Sequence, residues 1–304
     1  MSAMRDVCVV HLVWVPLGLE PFREFLAAYR RYPGGMDHRL VLLFNGVRHE
    51  SELQPYLALL RGIPHEVLRT PAPTQDLPAY HFAVQALDCD AVCFLNSYSR
   101  PLDADWLAKL HRHASRPGVG LVGATGSWAS IHSGTLWRYG WPSPYDGLFD
   151  ESMRRRFSRR EWLYLLRPLR WRLKAPWVLR TSLSGFPPFP AVHVRTNAFM
   201  FSRALGASLR WGTIRVKNDA YRLESGNDSL TRQVLARGLK TLLVGVDGEG
   251  YDVDAWPESE VFWQGRQRNL LVSDNQTADY ESGDAIRRQH LSAFAWRERA
   301  RPEY

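Results

Sequence analysis

The sequence predicts an α/β fold, a doubly wound and mostly parallel sheet with helices on both faces. The first observation behind this is that strand-like and helix-like stretches alternate five times before residue 126. The second is the short apolar run Ala91–Leu95, followed at once by Asn96-Ser97-Tyr98-Ser99-Arg100. A two-faced apolar run of this length reads as a buried parallel strand. Polar groups at its carboxyl end stand where open α/β sheets bind ligands.

Taken in order, Arg5 to Trp14 reads as the first strand. Pro21 opens a helix whose Phe22, Phe25, Leu26 and Tyr29 share one face, and Pro33-Gly34-Gly35 ends it. Arg39 to Asn45 is a second buried strand closed by Asn45-Gly46. Ser51-Glu-Leu-Gln54 has the spacing of a capping box for a helix that stops at Gly62. His65 to Thr70 reads as a third strand, and Leu77 to Leu87 as a helix feeding the central strand. Asp103 is placed to cap the next helix, ahead of Trp106, Leu107 and Leu110. Val119 to Thr125 is again strand-like. Gly118-Val-Gly-Leu-Val-Gly123 spells the GxGxxG fingerprint, but it lies inside that strand and not between a strand and a helix. Its glycines are read as close packing.

Residues 126 to 190 break the rhythm. It resumes with an alternating strand from His193 to Ser202, a helix from about Asp228 to Arg237 stopped by Gly238, and a strand from Leu242 to Val246. From about residue 250 on, loops and a final helix are expected to fold back over the site.

Composition bounds the function. With 45% hydrophobic and 23% charged residues, the 304-residue chain has an ordinary globular balance. Cys8, Cys89 and Cys93 are too few for a disulfide framework, which points to a reducing compartment. Val7 to Leu19 imitates a signal segment, but His11 and Pro16 interrupt it and no cleavage site follows. No run reaches the ~18 apolar residues a membrane span requires. His111 and His113 are two apart on a helix and cannot share a metal, and no Ser-His-Asp order appears.

The net charge of +8 is localised. Met153 to Arg180 holds ten of the 39 basic residues and one of the 31 acidic ones, so this segment carries +9 and the rest −1. Within it Trp162, Leu165, Leu166, Leu169 and Leu173 form one stripe at helical spacing, with Arg160, Arg167, Arg170 and Lys174 beside or opposite it. This fits a helix lying in an anionic membrane interface, kinked at Pro168. The alternatives are an amphipathic helix packed on its own domain and a nucleic-acid contact, for which no accompanying motif exists.

The frame around the central strand resembles the family-2-like glycosyltransferases of GT-A fold. Their nucleotide-sugar motif reads roughly Leu-Asp-x-Asp at the end of such a strand, followed by a Pro and a Trp-Leu helix. Here the same place reads Leu95-Asn96-Ser97-Tyr98, with Pro101 and Trp106-Leu107 following, so both carboxylates are replaced. A second matching stretch is the acidic cluster ending in Glu224 and Asp228, ahead of a helix containing Leu230 and Arg232 and ended by Gly238.

The resemblance implies a transferase moving a sugar from a nucleotide-sugar donor to a glycan or lipid-linked acceptor in surface polysaccharide synthesis, with inversion. It implies a donor site made of Asn45, Asp76, Asn96, Ser97, Tyr98, Ser99 and Arg100. Asp76 either accepts the N–H of a pyrimidine base or caps the following helix. Glu224 is the first choice for the general base; Asp228 is either a base or an N-cap. Mg²⁺ or Mn²⁺, which would screen the leaving pyrophosphate, is put in question by Asn96 and Tyr98; Asp103 or Asp105 is a substitute ligand and Arg100 a substitute charge. A cytoplasmic protein, peripheral on the inner face of a membrane, is expected. The rival is a non-catalytic nucleotide- or glycan-binding scaffold. A third possibility is a nucleotidyltransferase on a similar sheet, but the Gly-rich phosphate loop expected of it near the N-terminus is missing here.

The basic segment carries its own prediction. Each Lys or Arg near an anionic surface contributes about 1 kcal/mol, and burial of the Trp/Leu face adds an apolar part that salt does not screen. Vesicle flotation should show binding to anionic lipid that weakens but persists at high salt. Replacing Arg154, Arg155, Arg156, Arg159 and Arg160 with Ser should reduce it, and Trp162→Ser should remove the salt-resistant part. Wild-type protein floating free of anionic vesicles would refute the membrane reading.

Overall fold

The computed structural model describes residues 4–138, 142–148, 183–214 and 216–297. The basic segment 153–180, with its predicted interfacial helix, lies outside the described residues.

The chain begins β1 (Val7–Trp14), α1 (Glu20–Arg31), β2 (Arg39–Asn45), α2 (Gln54–Leu59), β3 (Glu66–Arg69), α3 (Asp76–Ala86), β4 (Ala91–Leu95). It continues through β5 (Arg100–Pro101), α4 (Trp106–Ala114), β6 (Val119–Gly123), β7 (Gly126–Ser127) and α5 (Ile131–Arg138). After the undescribed stretch come β8 (His193–Val194), β9 (Ala198–Ser202), α6 (Arg203–Ser208), α7 (Lys217–Ser225), α8 (Leu230–Leu235) and β10 (Lys240–Val244). The last elements are β11 (Gly250–Asp252), β12 (Val272–Ser273), α9 (Asn275–Ser282) and α10 (Ala285–Trp296).

Eight strands form one sheet in the order β11-β10-β6-β9-β4-β1-β2-β3. The predicted α/β class holds, and pairing is mostly parallel. There are two exceptions: at the centre β9 runs antiparallel to both β4 and β6, and at the edge β11 runs antiparallel to β10. The stretch from His193 to Ser202, expected as one strand, is divided at Arg195–Asn197. Its first part pairs with β7 and its second enters the main sheet.

The pleat explains why the strands are apolar throughout. Alternate residues point to opposite faces. Val7, Val9 and Val13 join the layer of Phe22, Phe25 and Trp106 from α1 and α4. Cys8, Val10 and Leu12 join the opposite layer, with Tyr80 of α3, Val234 of α8 and the late aromatics Trp256, Phe262 and Trp296. Both faces are therefore covered, and no helix among the described residues is long and apolar enough to cross a membrane. His11 is drawn into the first layer, stacked on Phe25 at 3.6 Å, and burial pushes it down to about 3.

Three helix starts differ from expectation for one reason: nearby backbone or another side chain supplies the partner first. Asp103 does not cap α4; it pairs with Lys109. The N–H groups of Asp105 and Ala108 donate instead to the Pro33 and Gly34 carbonyls, at 2.8 and 2.9 Å. Gly35 is required there, because a Cβ would stand 2.7 Å from the Asp105 Cα and its φ is +77°. Ser51 does not open a capping box, since it lies inside a 3₁₀ turn over Glu50–Leu53. Asp228 is not the N-cap of α8; the Ser229 hydroxyl accepts from the Arg232 N–H. The glycines of the GxGxxG string do mark close packing: a Cβ on Gly120 or Gly123 would come within 2.6 Å of Val234 or 2.3 Å of Val194.

A buried network clasps the C-terminal segment to the sheet. The Arg195 guanidinium pairs with Asp274 at 2.7 Å, donates to the Thr125 hydroxyl at 3.2 Å, and lies 4.3 Å over the Phe262 ring. Asn197 accepts from Thr125 and donates to the Val272 carbonyl at 3.0 Å. Asp274 also caps α9 through the N–H groups of Gln276 and Thr277. Removing one member of a buried pair leaves the other charge uncompensated, at a cost of about 3–5 kcal/mol. Arg195→Met should lower unfolding stability by that amount in denaturant titration. A loss under about 1 kcal/mol would place the pair among weakly coupled surface contacts.

Candidate functional site

The strand order runs β1-β2-β3 to one side and β4 to the other, so the carboxyl ends of β1 and β4 flank the switch point where such sheets bind ligands. Ser97 staples this point shut. Its hydroxyl donates to the Leu12 carbonyl at 2.9 Å and accepts from the Trp14 N–H at 3.1 Å. Asn96 folds the next residues into a turn, its Oδ1 accepting from the Tyr98 N–H at 2.9 Å and the Ser99 hydroxyl at 3.0 Å. Ser99 is fully buried and also donates to the Asn197 carbonyl. Arg100 reaches back to Glu24 at 2.8 Å. Among the five residues predicted to face a ligand, Ser97 and Ser99 thus build the turn, and the partly exposed Asn96 and Tyr98 are left at its surface.

Asn45 is buried, and its amide is spent on the next loop: Nδ2 donates to the Thr74 carbonyl at 2.8 Å, and Oδ1 accepts from Thr70 and Thr74. Its role is to position the loop that leads into α3. Asp76 opens that helix without capping it, because no side-chain cap bond forms and Gln75 is the N-cap. The Glu224 carboxylate, near the end of α7, lies close enough to influence it electrostatically. Glu224 is held by the Thr196 hydroxyl at 3.3 Å, and Thr196 immediately precedes Asn197 at the same sheet edge. Asp76 is open to solvent on one side, yet crowding by surrounding protein and then the Glu224 carboxylate push it up to about 6. The sequence paired neither residue with the other.

Two further residues escaped the sequence reading. Tyr80, one turn after Asp76, is fully buried against Phe94 and Phe199, at 4.5 and 5.6 Å between ring centres. Its hydroxyl finds no hydrogen-bond partner, and burial, Asp76 and Glu224 all hold the phenol protonated. His193 donates from Nδ1 to the Ala191 carbonyl at 2.7 Å, and burial lowers it while Glu224 opposes. It is therefore neutral, with Nε2 unprotonated. An i,i+4 Asp/Tyr pair was the available signal for Tyr80; nothing local marked His193. Asp228 lies on the surface, 3.5 Å from Arg210 and 80% exposed in its side chain.

The donors do not suit a divalent cation. The Asn96 oxygen already accepts two hydrogen bonds, Tyr98 offers a phenol, and Asp103 is held by Lys109. Among the described residues no three His, Cys, Asp or Glu side chains gather as a metal site. What the edge offers is two carboxylates, Asp76 and Glu224, that influence one another electrostatically and join no ion pair with a described residue.

No family model matches the sequence, and no curated protein matches it. Solved structures do. GalNAc-T7 with UDP, GalNAc and Mn²⁺ is 15% identical over 38% of this chain and 22% of its own, with a TM-score of 0.32. The mannosyltransferase PcManGT from Pyrobaculum calidifontis, in complex with GDP-Man and Mn²⁺, is 12% identical over 95% of this chain and 69% of its own, with a TM-score of 0.44. Glucosyl-3-phosphoglycerate synthase from Mycobacterium tuberculosis, with UDP, Mn²⁺ and glucosyl-3-phosphoglycerate, is 14% identical over 66% of this chain and 57% of its own, with a TM-score of 0.33. At these values the likeness assigns no residue a role, and the roles of the site rest on its own geometry.

Proposed function

We propose that this chain is a nucleotide-sugar-dependent glycosyltransferase of GT-A type, with the sugar bound between Asp76 and Glu224 and the nucleotide against the Asn96–Arg100 turn. The observation that carries this is Glu224: a carboxylate in no ion pair with any described residue, held by Thr196 at the ligand-binding edge. An inverting transfer needs such a group within reach of the acceptor hydroxyl, on the face opposite the departing nucleotide. The acceptor oxygen attacks the anomeric carbon, its proton passes to Glu224, and the nucleotide diphosphate leaves with the glycosidic electron pair. Asp76 is assigned to the sugar side and not to a base on the strength of its electrostatic link to Glu224. The acceptor is a glycan or a lipid-linked sugar in surface polysaccharide synthesis. The basic segment would bring the enzyme to an anionic inner membrane face.

One observation favours a non-catalytic scaffold: the polar atoms of Asn96 and Ser99 are consumed within their own turn. Donor binding and turnover separate the two readings. A true donor should raise the melting temperature, and equally with a chelator present. Glu224→Gln should then keep that stabilisation while losing transfer, since general bases contribute about 10²–10⁴-fold. A variant retaining more than about a tenth of the wild-type rate would remove Glu224 from the role. Wild-type protein that binds donor without any turnover would establish the scaffold.

A further inference from the structure

Arg100 has a fixed backbone and a side chain that is free to choose its partner. It directly follows the turn in which the Ser99 N–H donates to the Asn96 carbonyl at 3.1 Å, and it pairs in register with Ser273 of β12. Its side chain is 30% exposed and ends 2.8 Å from Glu24 of α1, which is itself 45% exposed. A turn closed in this way brings its first and fourth residues within about 7 Å, so the long side chain that follows can cover the turn's outer surface. Arg100 is also the only Lys or Arg between Arg69 and Lys109. An anionic group lying against this turn therefore meets no other cation from that stretch of chain.

The relative strengths of the two contacts favour an exchange. An exposed ion pair gains little, because water and salt screen it and two long side chains must be held in one geometry. A guanidinium on a diphosphate gains more, since its planar fork engages phosphate oxygens two at a time and the partner carries several charges. The Glu24 contact is strong enough to orient Arg100 and weak enough to be given up.

We propose that Glu24 is an intramolecular competitor for Arg100: the guanidinium it holds is the cation that meets the donor's diphosphate, and the donor binds by drawing Arg100 away from α1. This rests on the nucleotide position assigned above and adds a residue that sets donor affinity without touching the donor. Glu24 is a positioning residue, acting only through Arg100. Removal of any acid near an anion site raises affinity through space, so the test has to separate that effect from the release of Arg100. Glu20 supplies one control, being a carboxylate one turn earlier on the same helix whose partner is Arg23, at 3.6 Å.

Inorganic pyrophosphate, which has the diphosphate without base or sugar, is titrated by calorimetry into the full chain with EDTA present. Glu24→Gln should tighten binding about threefold, within the range an exposed ion pair allows. Arg100→Gln should weaken it about tenfold, the loss of a charge-assisted contact. Glu24→Gln added to Arg100→Gln should change nothing further, because no guanidinium remains to be released. Glu20→Gln should leave binding at the wild-type level. With a nucleotide-sugar that turns over, Glu24→Gln should lower the donor KM and leave kcat in place. The proposal is overturned if Glu24→Gln leaves the affinity unchanged, if it tightens binding equally in the Arg100→Gln background, if Glu20→Gln has the same effect, or if pyrophosphate does not bind the wild-type chain. Failure of the transferase reading would appear separately, as wild-type protein that shows this binding pattern and turns over no donor.

Discussion

Arg195 is the point on which the candidate site depends. It emerges where the chain passes from the small β7–β8 pairing into the antiparallel strand at the centre of the main sheet. Its guanidinium, buried and paired with Asp274, fixes the C-terminal segment against that passage. The two residues that follow do the site's positioning: Thr196 holds Glu224, and the Asn197 carbonyl accepts from the Asn96 N–H and the Ser99 hydroxyl. One short non-strand segment therefore sets the position of Glu224 relative to the Asn96–Arg100 turn. A buried ion pair is a weak source of net stability and a strong source of definition, since only one arrangement satisfies both charges.

Most of the fold was legible in the sequence because its determinants are local. Ala91–Leu95 is apolar on both faces and lies buried on both, and the glycines of 118–123 pack closely, as expected of glycines inside a strand. Direction was not legible. Alternation identifies a strand but carries no information on whether it runs with or against its neighbours, so β9 was read without its antiparallel placement. Caps failed for a related reason. Asp103, Ser51 and Asp228 each have a capping side chain at a plausible spacing, but Lys109, the 3₁₀ turn at Glu50–Leu53 and the adjacent Ser229 decided the outcome.

The site was half legible. Glu224 and Asp76 stood out singly as carboxylates before helices, yet their electrostatic link spans 148 positions of chain and leaves no spacing pattern. The ring of Tyr80 packs on Phe94 and Phe199 like any core aromatic; only its hydroxyl, without a partner among the described residues, sets it apart. Arg195 and Asp274 lie 79 positions apart, and no local feature of either marks a buried pair. Long-range electrostatics is the part of the structure that a single sequence conceals most completely.

The turn at Asn96 has a consequence for what an acidic residue could do at this position. Its side-chain oxygen is a structural acceptor, engaged by the Tyr98 N–H and the Ser99 hydroxyl. An aspartate at this position would accept the same two hydrogen bonds, more strongly for being charged. An aspartate here would thus tighten the turn, its carboxylate consumed as building material and not left free as a ligand.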